Sequence, residues 1–185
     1  MTSYVAFIRA INVGGRAVVR MTDVRDAFVR AGCERVRTCI QSGNVLFESS
    51  GSDVGAQCGR VCARITELTG TKAGMSVRRL ADLERLVKAD PFTGFESDPG
   101  IKLYVAFLER KPPVRPKLPV ISAREALEAF AMKSLEVFIV SRRKPNGFYG
   151  FPNNFVEKEL AVPATTRNWN TVQKVLQFSR DVLHS

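Results

Sequence analysis

Two short apolar runs set the strongest limit on what this chain can become. Tyr4-Val5-Ala6-Phe7-Ile8 and Leu103-Tyr104-Val105-Ala106-Phe107-Leu108 lack the polar alternation of a half-exposed strand and are too short for a helix. Each predicts a strand buried inside a sheet. Each must therefore find neighbouring strands and cover, so the rest of the chain divides into two sets of elements around two centres.

The first set follows in order. The strand over residues 4–9 ends at a sharp break, Asn12-Val13-Gly14-Gly15-Arg16. Thr22 is placed to cap a helix over 23–31 that buries Val24, Ala27, Phe28 and Ala31, with Gly32 as its stop. A second strand spans 34–40, with Val36 and Ile40 inward. Gln41-Ser42-Gly43-Asn44 has the chemistry of a turn, and Val45-Leu46-Phe47 begins a third strand. Asp53 opens a helix that runs to about Leu68 and stops at Gly70, and 72–78 form a fourth strand. The order β-α-β-β-α-β is that of a ferredoxin-like sheet with both helices on one face. A short helix over 80–89 leads out. Asp90-Pro91 and Asp98-Pro99-Gly100 bracket a linker at 91–100, which predicts one half at 1–90 and the other at 101–185.

The second half repeats this less cleanly. After the strand at 103–108, residues 111–119 carry four prolines and two lysines and predict a loop. Ser122 is placed to cap a helix over 123–131. Residues 136–140 form a strand, with Gly147-Phe148-Tyr149-Gly150 as its hairpin partner. Two helices close the chain, at about 153–160 and 169–182. The expected architecture is α+β: two ferredoxin-like repeats of βαββα type, packed together, with C-terminal helices.

Composition narrows the chemistry. The chain has 185 residues, 45% of them hydrophobic, which is enough for a substantial core. No apolar run nears the roughly 20 residues of a membrane span. Met1-Thr2-Ser3-Tyr4 does not open a secretory leader, so the expectation is a cytoplasmic protein. Cys33, Cys39, Cys58 and Cys62 form no C-x-x-C pair. Cys58 and Cys62 lie one turn apart in a helical stripe with Val54, Val61, Ile65 and Leu68, and the expectation is buried thiols, with no metal and no disulfide. The only histidine is His184, which argues against histidine catalysis and the common zinc sites. Nothing in the sequence calls for a cofactor. The net charge of +10 draws the chain toward nucleic acid, nucleotides or other anions. It is spread evenly: residues 1–92 and 93–185 each hold 14 basic and 9 acidic side chains.

The densest polar motif is Ala164-Thr165-Thr166-Arg167-Asn168-Trp169-Asn170-Thr171-Val172. A helix begins within it, since Val172, Val175, Leu176 and Val182 recur at helical spacing, with Asn168 or Thr166 as N-cap. Arg167 then stands beside the positive end of a helix dipole, a place that favours an anion. Its planar fork fits phosphate or carboxylate, and Trp169 offers a ring for stacking or for the core. Gly14 and Gly15 can bare backbone N–H groups, although neither a G-x-x-x-x-G-K-[ST] nor a G-x-G-x-x-G motif is present. Gln41 offers amide donors and an acceptor beyond what a turn requires.

Three segments, Arg9-Ala10-Ile11-Asn12-Val13-Gly14-Gly15, Gln41-Ser42-Gly43-Asn44-Val45 and Glu157-Lys158-x-Leu160-x-Val162-Pro163-Ala164-Thr165-Thr166-Arg167-Asn168-Trp169-Asn170-Thr171-Val172, together resemble the domain-of-unknown-function 1697 family. The resemblance implies a bacterial cytoplasmic α+β protein of two ferredoxin-like repeats and supplies no activity, catalytic residue or cofactor. Family members often carry a Ser-Lys pair before the Glu-Lys-x-Leu segment. Here that place reads Gly150-Phe151-Pro152-Asn153-Asn154, which weakens any role in phosphate chemistry.

The expectation for function is a module that binds a phosphate-bearing ligand, nucleic acid or nucleotide, in a cleft between the halves. The predicted ligand-binding residues are Arg9, Asn12, Gly14, Gly15, Gln41, Ser42, Asn44, Thr166, Arg167, Asn168, Trp169 and Asn170. Paired strand aromatics of the RNA-recognition type are missing, so a charged cleft is favoured over a sheet-face platform. A second reading is an enzyme on a small anionic metabolite, with Glu157 as general base ahead of Asp23 and Glu48. A third is a scaffold in which the polar segments only join the repeats.

Overall fold

A computed structural model describes residues 1–9, 18–39, 43–50, 52–95 and 98–183. It is α+β, with five helices and two antiparallel sheets among those residues. By contacts the chain forms two compact units, Met1–Arg85 with Lys174–Ser185, and Leu86–Gln173.

In the first unit, β1 (Thr2–Arg9), α1 (Met21–Arg30), β2 (Glu34–Cys39), β3 (Asn44–Ser49), α2 (Val54–Thr69) and β4 (Gly74–Arg79) follow in order. The sheet order is β2-β3-β1-β4. The apolar run of β1 is central: Val5↔Leu46 pairs it with β3 and Val5↔Arg78 with β4. Tyr4, Ala6 and Ile8 face a core with Val24, Phe28, Phe47, Val61 and Ile65, while Val5 and Phe7 on the other face are also fully buried. Phe28 stands 5.0 Å from Phe47, and Tyr4 stacks on Phe47 at 5.5 Å.

Local chemistry sets the helix ends. Gly32 at φ +85 follows α1, and the Cys33 N–H returns to the Phe28 carbonyl, a six-residue closure that satisfies the frayed end. Gly70, also left-handed, ends α2. Thr22 does not cap α1: the helix starts two residues earlier, at Met21, with Arg20 at the cap and ion-paired to Asp23 at 3.0 Å. Buried Gln57 ties α2 to its surroundings, accepting from the Ser49 hydroxyl (2.8 Å) and donating to the Gly32 carbonyl (3.0 Å). None of the four cysteines is in a disulfide; burial pushes Cys33 and Cys39 up to about 11 and Cys58 up to about 12, so these three are protonated at neutral pH.

α3 (Leu80–Ala89) and α5 (Trp169–Leu183) contribute residues to both units. The second unit has β5 (Ile101–Leu108), β6 (Val120–Ser122), β7 (Leu127–Lys133), β8 (Glu136–Arg142), α4 (Asn153–Leu160) and β9 (Ala164–Asn168), with sheet order β6-β7-β8-β5-β9. Tyr104, Ala106 and Leu108 of β5 face Phe155, Val156 and Leu160 of α4, and Val105 and Phe107 are fully buried on the other face. Fully buried Phe92 centres an aromatic group with Phe130, Phe138 and Trp169, at 5.2–5.8 Å.

The helix expected over 123–131 is absent. Ser122 does accept the Glu125 N–H, at 3.4 Å, but it closes a four-residue turn between β6 and β7. Leu127 and Ala129 then alternate into the core, and a bulge between Ala129 and Ala131 keeps the pairing with β8. Cross-strand pairing overrides the helix-favouring composition of Ala123–Ala129. Phe28→Ala is expected to cost about 3–5 kcal/mol in urea denaturation, whereas Phe148→Ala, on a side chain 73% exposed, should stay within about 0.5 kcal/mol of the parent.

Candidate functional site

The segment with most of the predicted site residues forms an edge strand and the helix after it. β9 lies against β5 alone, in the register Leu108↔Ala164, Ala106↔Thr166 and Tyr104↔Asn168. Antiparallel alternation turns the amides of Ala164 and Thr166 outward. An exposed edge amide invites another strand, so it needs a partner. Helix α4 supplies two. Glu157 Oε1 accepts the Ala164 N–H at 2.8 Å. Asn153 Oδ1 accepts both the Thr166 N–H (3.1 Å) and the Thr166 hydroxyl (3.0 Å). Asn153 and Glu157 are four residues apart and share one helix face, which matches the two-residue step along the strand.

Asn168 ends the strand and caps the next helix: its side-chain oxygen takes the Asn170 N–H at 3.0 Å. Trp169 is buried, its ring 5.2 Å from Phe92, while Asn170 is exposed. Thr166 is buried. Arg167 is part-buried and donates from Nη1 to the Thr166 carbonyl at 3.0 Å. Burial lowers its pKa to about 10, which leaves it cationic at neutral pH.

Two other predicted residues lie in the first unit. Asn44 is fully buried at the start of β3 and donates to the Cys39 carbonyl at 3.3 Å. Arg9 closes β1 opposite Gly74. Asn12, Gly14, Gly15, Gln41 and Ser42 lie outside the described residues. Among the described residues no cluster of histidine, cysteine, aspartate or glutamate is placed to hold a metal ion, and no helix is long and apolar enough to cross a membrane.

A different stretch, Arg142–Phe151, carries the most unusual surface. Lys144-Pro145-Asn146-Gly147 forms the turn: the Gly147 N–H bonds the Lys144 carbonyl at 2.9 Å, and Gly147 then takes φ +84. A type I turn with proline second and a left-handed glycine after it is a three-residue hairpin connection with a bulge. The Lys144 N–H bonds the Phe148 carbonyl at 2.8 Å, and Arg143 pairs with Tyr149. Gly150 is required because a Cβ there would run into the backbone oxygen of Glu125. The Tyr149 hydroxyl donates to the Pro99 carbonyl at 3.2 Å, and the Lys102 ammonium stands 4.4 Å from its ring centre. Phe148 is 73% exposed and Phe151 60%. Arg142 and Arg143 flank them in sequence and are exposed, Arg142 being held by Glu128 at 2.8 Å. The signal was in the sequence: three consecutive cations and three aromatics within ten residues.

The fold thus defines an α+β protein of two units, each built on an antiparallel sheet. The family model described as Protein of unknown function (DUF1697) matches residues 1–138, and the chain belongs to that family. The match ends before the Glu157–Val172 segment. Among solved structures the chain is similar to the conserved bacterial protein SP0830 from Streptococcus pneumoniae, at 23% identity and a TM-score of 0.63, over 96% of this chain and 98% of that one. This likeness is one of fold. No curated protein sequence matches the chain.

Three substitutions at two positions test these roles. Glu157→Ala should destabilise the protein by about 1–3 kcal/mol, because it strips the buried Ala164 amide of its acceptor, and Glu157→Gln, which keeps an acceptor oxygen, should lose less. Gly150→Ala should cost about 1–3 kcal/mol through the clash with Glu125. All three are read from urea midpoints.

Proposed function

We propose that the protein is a binding module for phosphate-bearing ligands, and that its ligand is single-stranded nucleic acid engaged by the Arg142–Phe151 hairpin. The supporting observation is the pair of rings at Phe148 and Phe151, 73% and 60% exposed, on a stretch that also carries Arg142, Arg143 and Lys144. Large exposed rings have a cost in water, and bases in an unpaired strand present flat faces that can cover them. The adjacent cations meet the phosphates, and the +10 net charge adds long-range attraction. A duplex hides its base faces, so the preference runs to single strands. We further read the two units as copies of one ferredoxin-like plan. The order β7-β8-β5-β9 matches β2-β3-β1-β4, and a helix follows directly on both β4 and β9.

The test is fluorescence anisotropy with a labelled single-stranded oligonucleotide and the matching duplex, across a salt series. The single strand should bind more tightly, with affinity falling as salt rises. Phe148→Ala should weaken binding by about 1–3 kcal/mol at fixed salt. Each of Arg143→Ala and Lys144→Ala should flatten the slope of log affinity against log salt by about 0.7. No binding at low salt, or Phe148→Ala binding as well as the parent, overturns the reading.

A further inference from the structure

The second unit holds a groove that the hairpin does not use. It has a volume of about 530 Å³, well within the range of small-molecule sites. One wall is the loop between β5 and β6, which contributes Lys111, Arg115 and Pro116. The prolines of this loop fix φ and remove backbone donors, so the wall is stiff and largely apolar. The floor is Leu118 and Met132, both part-buried and packed against the core that β5 and α4 share. Ser134, in the β7–β8 turn, adds a hydroxyl.

The charge here is one-sided. Among the described residues the lining has two cations and no carboxylate. Lys111 and Arg115 are exposed, and neither is in an ion pair among the described residues. Some other basic side chains of the surface are paired instead: Arg142 with Glu128, Arg60 with Asp53 and Arg64 with Glu67. The smaller cavity lined by Arg30, Arg60 and Arg64 differs in this respect, because Arg60 also bonds the Ala31 carbonyl just beyond α1. Two uncommitted cations over an apolar floor suit a ligand that is itself divided, with anionic oxygens at one end and hydrocarbon at the other.

We propose that this groove binds a small amphiphilic anion, a carboxylate or phosphate monoester carrying an apolar chain. The proposal stands apart from the nucleic-acid reading, which uses other residues. The test is calorimetric titration of the full chain with decanoate and decyl phosphate below their micelle concentrations, against acetate and decyltrimethylammonium. Both decyl anions should bind saturably at one site, whichever head the groove prefers, and acetate and the cation should not. The Lys111→Ala/Arg115→Ala double variant should bind the decyl anions at least tenfold more weakly. Both side chains are exposed, so the variant should keep the parent's melting temperature. Phe148→Ala should bind them as the parent does, whatever the oligonucleotide assay returns. Failure of either decyl anion to bind saturably, equal binding of the decyl cation, or an unchanged affinity in the double variant overturns it.

Discussion

Burial of one strand on both faces is the constraint on which each unit rests. Val5 and Phe7 of β1, and Val105 and Phe107 of β5, are fully buried on the side away from the helical cores of their units. A strand of this kind has no solvent face, so its residues can be continuously apolar and its amides must all be paired within the sheet. That fixes it between two neighbours, β3 and β4 in one case and β8 and β9 in the other. The remaining elements take the places this leaves. The first sheet is closed over by α1 and α2 and the second by α4.

Placing an apolar strand at the centre pushes the least apolar one to the rim. β9 is such a strand, and its sequence, Ala-Thr-Thr-Arg-Asn, looks like a loop for that reason. It holds as an edge because its outward amides are bound in place by α4, through Glu157 and Asn153. The side-chain oxygen of Asn168 then carries the chain into α5, and Trp169 anchors the start of that helix against Phe92. A polar motif can therefore be dense without facing a ligand. Hydrogen bonding at an edge strand and capping at a helix start use the same residue types as anion recognition, and sequence does not separate them.

This explains what could and could not be seen in advance. The strands β1 and β5 and the helices α3, α4 and α5 follow from apolar spacing and terminal signals, which are local. β6 and β7 were not visible, because Ala123–Ala129 favours a helix on its own and becomes turn and strand only when β8 lies beside it. The Ser122 cap was a true signal of a turn and a false one of a helix. β9 was hidden because the residues that satisfy it, Asn153 and Glu157, stand 13 and 7 positions away. Residues 147–150 read as a hairpin partner of 136–140, and the structure pairs them only through Arg143 and Tyr149, beyond the end of β8; the exposure of the rings in this stretch was not legible. Exposure depends on which elements cover a given face, and no local pattern records that.

Exposed rings need a reason when the same stretch shows that rings can be used otherwise. Tyr149, between Phe148 and Phe151, is tied by its hydroxyl to Pro99 and covered by Lys102. Phe151 rests its edge on Tyr104, at 5.8 Å and 87°, and still leaves most of its surface open. Phe148 has no ring contact among the described residues. The backbone around it is held by the Gly147 turn, the Asn146 side chain on its own N–H at 3.1 Å, and the bond from Lys144. A ring on a braced backbone loses little further freedom when a partner covers it, so more of the contact energy goes to binding. On the proposed nucleic-acid reading, the bracing is what makes the exposure useful: it holds an apolar face open in water, next to the cations of the same stretch.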